Sequence, residues 1–351
     1  MNFNFSEILK LFDKALLDGV FSKAVAGFLF PDGSRKILAF KTPEDTIFDI
    51  ASVTKVCPTA VLALKLILEN KLTLDDLVVK YIPELQTNFK EEFFIRHLLT
   101  HAVDYRVRTS SLKEKSPDEI LDFLCHYQFD KKPGTIFNYG NPANILLGII
   151  IQRITGKRLD ILAKEILFEP LEMKRSTYFP LKHFDKKEIA ATEYCSFRKR
   201  KIQGEVHDES AFVLEQKFPV GSAGMFSCVS DLLNFSEMLL KDGLFKSRRI
   251  LPPGILKLIT TNGLESIQES ASFGFELNAN KFMGTKHSDK TFGKTGFTGA
   301  SIVCDAKKQA AVVLLSDFTW PHRETNANRI NQFRESLSDA FLKNFFEKEM
   351  D

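Results

Sequence analysis

The stretch Ser52-Val53-Thr54-Lys55 opens a long apolar segment, and the fold can be inferred outward from it. From residue 54 to about residue 70, apolar side chains occupy almost every side of a helix, which predicts a buried helix. Residues three apart share a helix face, so the Lys55 amine can reach the Ser52 hydroxyl. Burial lowers a lysine pKa, and a helix N-terminus favours developing negative charge. The segment therefore predicts an activated serine in the first turn of a core helix.

The Ser-x-x-Lys spacing is weak evidence alone, because the sequence contains it twice more. One copy, Ser110-x-x-Lys113, leads into a charged stretch, and the other, Ser196-x-x-Lys199, opens the basic run of residues 198–201. Both positions predict exposed turns with solvated lysines. Only the copy at Ser52 precedes a segment apolar enough to bury its lysine.

Two further motifs turn this weak match into a constellation. Tyr139-x-Asn141 follows a Pro-Gly turn, and Lys294-Thr295-Gly296 opens a predicted strand, at distances of roughly 85 and 155 residues. Ser-x-x-Lys, Tyr-x-Asn and Lys-Thr-Gly in this order resemble the three motifs of the serine β-lactamases and penicillin-binding proteins. The resemblance is to the class C β-lactamase-like group, which includes related esterases and D-alanyl-D-alanine carboxypeptidases.

The resemblance extends over about residues 20 to 340. It includes the approach to the serine at residues 48–52 and the segments 97–101, 204–209 and 220–227. Two departures are visible. Gly140 stands where the family usually has Ser or Ala, and residues 102–105 lack the usual Ser-Gly turn. Neither removes a chemical group from the acylation machinery, although the second predicts a differently shaped cleft rim.

The resemblance implies the catalytic roles. Ser52 is the expected nucleophile and Lys55 its activating partner, while Tyr139 exchanges protons with the Ser52 oxygen, the leaving group and water. A phenol titrates near pH ~10, so Tyr139 serves as a base only if ammonium groups stabilise its anion. Lys55 and Lys294 are the candidates for that stabilisation.

The resemblance also implies the substrate-binding roles. Asn141 is expected to hold Lys55 and the substrate amide, and Lys294 with Thr295 to bind a substrate carboxylate. Gly296 lets the strand pass close to the acyl group. The backbone N–H groups of Ser52 and Phe297 form the expected oxyanion hole, worth on the order of 3 kcal/mol per donor.

The wider pattern predicts an α/β (α+β) fold: an antiparallel β-sheet flanked by helices, with an inserted mostly helical lobe, β-lactamase/transpeptidase-like. Residues 24–30, 36–40, 293–304 and 309–316 are the predicted strands, and helices are expected near both ends, the last over residues 326–348. We expect residues 1–65 and 205–351 to form a discontinuous sheet domain and residues 66–204 the helical lobe. The active site is predicted in the cleft between them.

Composition excludes several classes of function. The net charge of +3 gives no field that implies a nucleic-acid or membrane partner. The five cysteines show no Cys-x-x-Cys spacing, and the 33 phenylalanines are interpreted as core filling. Charged residues interrupt the first twenty positions, and no apolar stretch is judged long enough to span a membrane. We expect a cytoplasmic protein, or a periplasmic or extracellular one if a leader has been removed.

Three histidines suggest other kinds of site. His97 and His101 have the spacing of a metal pair but lack the Glu of a zinc protease, and His207 is interpreted as a loop residue. We expect no metal and no cofactor. The predicted function is a serine hydrolase acting through an acyl-enzyme on a small ester, amide or β-lactam. The alternatives are a D-alanyl-D-alanine carboxypeptidase acting on peptidoglycan peptides and a catalytically silent penicillin-binding sensor or scaffold. The oligomeric state is left open.

Overall fold

The computed structural model describes residues 3–323 and 327–346, which form helices packed on both faces of one main sheet. The described α-helices are α1 (Ser6–Leu17), α2 (Val61–Leu68), α3 (Val78–Tyr81), α4 (Ile95–Leu99), α5 (Pro117–Cys125), α6 (Asn141–Thr155), α7 (Leu159–Ala163), α8 (Glu209–Leu214), α9 (Val229–Leu240), α10 (Ile255–Thr260), α11 (Asn280–Met283) and α12 (Asn328–Leu342). The described strands are β1 (Ala24–Leu29), β2 (Arg35–Phe40), β3 (Phe48–Asp49), β4 (Ala191–Cys195), β5 (Arg200–Gln203), β6 (Phe226–Ser227), β7 (Leu244–Phe245), β8 (Arg248–Arg249), β9 (Glu276–Leu277), β10 (Thr291–Thr295), β11 (Ser301–Asp305) and β12 (Ala310–Ser316).

The main sheet has the strand order β2-β1-β12-β11-β10-β9, and every pairing in it is antiparallel. Strand β1 pairs with β12 in a register that sets Ala24 against Ser316. The two ends of the sequence therefore build one sheet, and the fold class predicted from the sequence is confirmed.

Side chains of β1 alternate between two cores, as the two-residue period of a strand requires. Val25 and Leu29 face a large core that contains α2, α6 and α9. Phe28 and its neighbours Ala24 and Ala26 face a second core between the sheet, α1 and α12. We call this second core the aromatic layer; its buried phenylalanines are Phe12, Phe21, Phe28, Phe30, Phe282, Phe318, Phe333, Phe341 and Phe345. The abundant phenylalanines predicted as core filling do fill this core.

The structure divides one predicted strand into two strands joined by a turn. Residues 293–304 were expected to form a single strand, but β10 ends at Thr295 and β11 begins at Ser301. Between them the Gly296 N–H donates to the Ala300 carbonyl at 2.7 Å, and Gly299 has a φ of 111°. Glycine adopts that left-handed region without strain, so the chain reverses there.

The predicted helix from residue 54 is irregular at its start. A 3-10 turn covers Ala51–Lys55, a π-helical segment covers Val56–Ala60, and regular α-helix begins only with α2. Cys57 is non-helical, with φ −115° and ψ 102°, because a residue that precedes proline is driven toward extended conformations.

The prediction that no apolar stretch is long enough to span a membrane is wrong for this segment. Residues Ala51–Leu68 are long and apolar enough to cross a membrane by length and composition, but 78% of the stretch is buried inside the protein. That burial is typical of a core helix. The domain boundaries proposed at residues 65 and 205 stay a prediction. Helix α12 occupies the predicted C-terminal helix, of which residues 326, 347 and 348 lie outside the described residues.

Candidate active site

Ser52 lies on a sharp turn that follows β3. Ala51, directly before it, has a φ of 46°, a left-handed conformation that costs energy for a residue with a Cβ. The carboxylate of Asp49 accepts the N–H of Ala51 at 2.7 Å and the N–H of His207 at 2.7 Å. Asp49 thus ties the strained turn to the loop that carries His207.

Lys55 is the centre of the hydrogen-bond system, with only 1% of its surface exposed. Its Nζ donates to Ser52 Oγ at 3.0 Å, to Asn141 Oδ1 at 2.8 Å and to the Ser222 carbonyl at 2.9 Å. Burial is the largest influence on the pKa of Lys55 and lowers it, and the charge of Lys294 lowers it further. The amine is therefore easier to deprotonate than an exposed lysine.

Tyr139 lies beside both lysines. Its ring centroid is 4.0 Å from Lys294 Nζ and 5.4 Å from Lys55 Nζ. Burial alone raises the pKa of Tyr139, but the charges of Lys294 and Lys55 and a hydrogen bond with Ser52 outweigh it, so the pKa lies below its ordinary value. The two ammonium groups named from the sequence as stabilisers of the Tyr139 anion do lie against its ring.

Lys294 projects from β10 and is also buried, with 2% of its surface exposed. Its Nζ donates to Glu276 Oε1 at 3.0 Å, and the other carboxylate oxygen of Glu276 lies 2.9 Å from Lys281 Nζ. Burial lowers the pKa of Lys294, but Glu276 and Tyr139 outweigh it and the pKa is raised. Lys294 therefore stays protonated and supplies a positive charge at the site.

The end of β10 lies directly against the turn that carries Ser52. A Cβ on Gly296 would stand 2.3 Å from the Ile50 carbonyl oxygen, so this approach is open only to glycine. Thr295, the last residue of β10, is partly buried and pairs with Ser301. The Thr298 hydroxyl donates to the Asp49 carbonyl at 2.6 Å. Gly296 therefore does bring the strand close to Ser52, as the resemblance implies.

Phe297 presents both a backbone donor and a side chain to the cleft. Within residues 3–323 and 327–346, its N–H donates to no acceptor. Its ring is 47% exposed and stacks on the His207 imidazole with the centroids 5.5 Å apart. His207 is thus a neighbour of the cleft, which agrees with the loop role assigned from the sequence.

Three residues outside the predicted catalytic and binding residues contact them. Glu276 pairs with Lys294, and Asp208 accepts the Asn141 side-chain N–H at 2.9 Å. The His101 ring lies 4.7 Å from the Tyr139 ring, and burial keeps the pKa of His101 well below its ordinary value, so the imidazole is neutral. The resembling segments 97–101 and 204–209 held the only sequence signal for His101 and Asp208.

A cluster of potential metal ligands lies behind His207. Glu193, Cys195 and Glu209 bring ligand atoms within 4.8 Å of one another, the one such group of three among the described residues. Arg323 donates to Glu193 at 2.7 Å and to Glu209 at 2.8 Å, so a guanidinium supplies the positive charge there. Neither His97 nor His101 belongs to this group.

A comparison with known families fixes the class of the protein. The family model described as Beta-lactamase matches residues 25–334. The chain belongs to the Beta-lactamase family. The family and its hydrolase relatives support a hydrolase.

Relatives and solved structures agree with the Beta-lactamase fold. A protein of Escherichia coli O157:H7, provisionally named a D-alanyl-D-alanine carboxypeptidase, is 30% identical over 309 residues, which span 79% of this chain and 70% of that protein. The N-acetylmuramyl-L-alanine amidase of Bacillus subtilis (strain 168) is 26% identical over 78% of this chain and 68% of its own. The structure of EstCE1, a hydrolase with promiscuous acyltransferase activity, superposes with a TM-score of 0.76 at 19% identity, covering 96% of this chain and 97% of that one.

Proposed function

We propose that this protein hydrolyses a small ester, amide or β-lactam through an acyl-enzyme on Ser52. One observation carries the proposal: Lys55 Nζ lies 3.0 Å from Ser52 Oγ, and both Lys55 and Lys294 lie against the Tyr139 ring. Three groups, the amines of Lys55 and Lys294 and the phenol of Tyr139, thus cluster beside one serine, as nucleophilic catalysis requires.

The proposed reaction begins when Ser52 Oγ attacks the carbonyl carbon of the substrate. Its proton passes into the Lys55–Tyr139 pair, whose pKa values are both lowered. The bond to the leaving group then breaks, and the leaving group takes the proton from that pair. Water attacks the acyl-enzyme in the second half, so the serine is regenerated and the acid is released.

The N–H groups of Ser52 and Phe297 are proposed to bind the oxyanion that forms in both halves. The unengaged N–H of Phe297 supports this role, and Gly296 sets it close to the nucleophile turn. The exposed Phe297 ring gives the cleft an apolar wall, which favours substrates with an apolar acyl or leaving group.

A second candidate is a D-alanyl-D-alanine carboxypeptidase. The name of the Escherichia coli relative favours it, and the charge of Lys294 suits the terminal carboxylate of a peptide. Steady-state assays with p-nitrophenyl acetate, a chromogenic cephalosporin and a D-Ala-D-Ala peptide separate the two. A peptide turned over faster than the other two substrates favours the carboxypeptidase.

The nucleophile is tested by labelling with a fluorophosphonate and mapping the adduct by mass spectrometry. We expect the wild type to be modified at Ser52 and Ser52→Ala to be unlabelled. Ser196→Ala is the matched control, because Ser196 begins the same Ser-x-x-Lys spacing on an exposed turn, and it should label like the wild type. A wild-type protein with an unmodified Ser52 would favour the silent scaffold.

A further inference from the structure

Asn141 stands between a cation and an anion. Its Oδ1 accepts from Lys55 Nζ at 2.8 Å, while its Nδ2 donates to Asp208 Oδ2 at 2.9 Å and to Thr109 Oγ1 at 3.1 Å. An ammonium only donates hydrogen bonds and a carboxylate only accepts them. The amide of Asn141 therefore has one orientation that satisfies both neighbours.

Asp208 is itself held firmly. Its Oδ1 accepts the Ser210 hydroxyl at 2.5 Å and the Ala211 N–H at 2.8 Å, which caps α8. Burial raises the pKa of Asp208, but these donors and the charge of Lys55 outweigh it, so the pKa is lowered and the carboxylate is ionised at neutral pH. The anion is thus both anchored and permanently charged.

We infer that Asp208 is a positioning residue of this hydrolase, which orients the Asn141 amide toward Lys55 and places a negative charge beside the Ser52–Lys55 pair. The inference rests on the proposed function of Ser52. Without the carboxylate, the Asn141 amide loses the acceptor that fixes its orientation. When the amide then rotates by half a turn, its N–H group replaces its oxygen, and Lys55 loses one of its three hydrogen-bond partners.

The charge of Asp208 also has a definite electrostatic effect. The ionisable groups that face Lys55 are the Tyr139 phenol, Lys294 from β10, Asp208 from the start of α8 and the neutral imidazole of His101. Asp208 is the carboxylate among them and raises the pKa of Lys55. Removing its charge lowers the pKa of Lys55, one member of the Lys55–Tyr139 pair that receives the Ser52 proton.

The test is Asp208→Asn, which keeps a good helix cap but reverses the polarity of the group that meets Asn141 Nδ2. We expect kcat/KM to fall about 10- to 100-fold, because the reacting groups are misaligned. We also expect the acidic limb of its pH profile to move to lower pH, because the base then deprotonates at a lower pH. Asp185→Asn is the matched control: Asp185 caps an exposed short helix and should leave both measurements unchanged.

A double variant tests whether the lost contacts are restored when the carboxylate and the amide exchange places. Asn141→Asp with Asp208→Asn restores an acceptor toward Lys55 and a donor between the two side chains, so it should recover activity relative to Asp208→Asn alone. A loss of rate with an unmoved acidic limb and no recovery in the double variant would show that Asp208 only caps α8, and unaltered kinetics would also overturn the inference. Fluorophosphonate labelling of Ser52 in the wild type reports the proposed function independently of either result.

Discussion

The catalytic cleft and the aromatic layer lie in one compact fold but are built in opposite ways. In the aromatic layer, Phe12 stacks on Phe40 with the centroids 3.8 Å apart and meets Phe333 edge-on at 4.9 Å. The cleft instead buries two lysines and keeps Ala51 in a strained conformation. Packing of apolar surface stabilises a fold, whereas buried charge and strain cost stability. The difference indicates that packing in the aromatic layer offsets the free energy that buried charge and backbone strain cost in the cleft.

The strongest test of this division is Ser52→Ala. We expect activity to fall at least about 10⁴-fold, because the nucleophile is lost. The free energy of unfolding should change by about 0.5 kcal/mol or less, because a partly exposed hydroxyl is removed. Steady-state kinetics and urea unfolding check the two halves. Marked destabilisation would show that the cleft also stabilises the fold.

Phe12→Ala tests the layer from the other side. The fully buried ring leaves a cavity, so we expect a loss of about 3–5 kcal/mol in the free energy of unfolding with kcat unchanged. Phe346→Ala is the matched control, because that ring is 94% exposed and its removal should leave stability unaltered. A drop in kcat of folded Phe12→Ala would mean that the layer shapes the cleft.

Glu276→Gln tests how an ion pair buried in the cleft changes the stability of the fold with pH. Burial raises the pKa of Glu276, but Lys294 and Lys281 outweigh it and lower the pKa to about 2. Because the folded pKa lies below the unfolded value of 4.5, the ion pair stabilises the fold above pH 4.5 and loses that effect as the pH falls toward 2. We expect the variant to be about 3 kcal/mol less stable at pH 7, since Lys294 is left buried and unpaired.

Urea unfolding of the wild type and Glu276→Gln across this pH range measures the effect. The gap between the two proteins should narrow as the pH approaches 2. A gap that stays constant from pH 7 to pH 2 would contradict the role of Glu276 as the ionised partner.

Gly296→Ala tests how closely the cleft is assembled. The added methyl group meets the Ile50 carbonyl, so β10 or the nucleophile turn must shift, and kcat/KM should fall about 100-fold. Gly140→Ala is the control, because Gly140 has an extended φ of −166° and an added Cβ would meet only Pro142 Cδ, at 3.2 Å; this variant should retain most of its activity. Equal losses in the two variants would argue against a special contact at Gly296.

The smallest effect is expected at the surface. Lys14 and Asp18 form an exposed ion pair 2.7 Å long on α1. Exposed pairs contribute little, so Asp18→Asn should change the free energy of unfolding by about 0.5 kcal/mol or less. Thermal unfolding at low and high salt checks this, and a larger change would assign α1 a role beyond covering the aromatic layer.

The residues found from the sequence share one property: each belongs to a short local pattern. Ser52 with Lys55, and Tyr139 with Asn141, are fixed by spacing within a turn, so their convergence was predictable once the motifs stood in order. The reverse turn from Gly296 to Gly299 was missed because its two glycines were included in one strand that runs from residue 293 to residue 304. The start of the core helix was predicted as regular because apolar residues continue on both sides of Pro58, although a proline drives the residue before it away from helical conformations.

The partners missed from the sequence depend on tertiary packing. Glu276 lies on a strand of two residues, too short to leave a periodic pattern, and meets Lys294 only because β9 pairs with β10. Asp208 looks like an ordinary helix cap until Asn141 is brought against it. The assignment of catalytic roles, the domain boundaries and the predicted cytoplasmic location stay predictions.

The pairing of β1 with β12 has a consequence for biosynthesis. Ala24 opposes Ser316, so the centre of the sheet joins segments translated almost a whole chain apart. Such non-local pairing slows folding, because loop closure must precede the contacts that reward it. During synthesis, β1 and β2 must wait for β12 to emerge, and until then the edge of β1 that pairs with β12 has no partner strand.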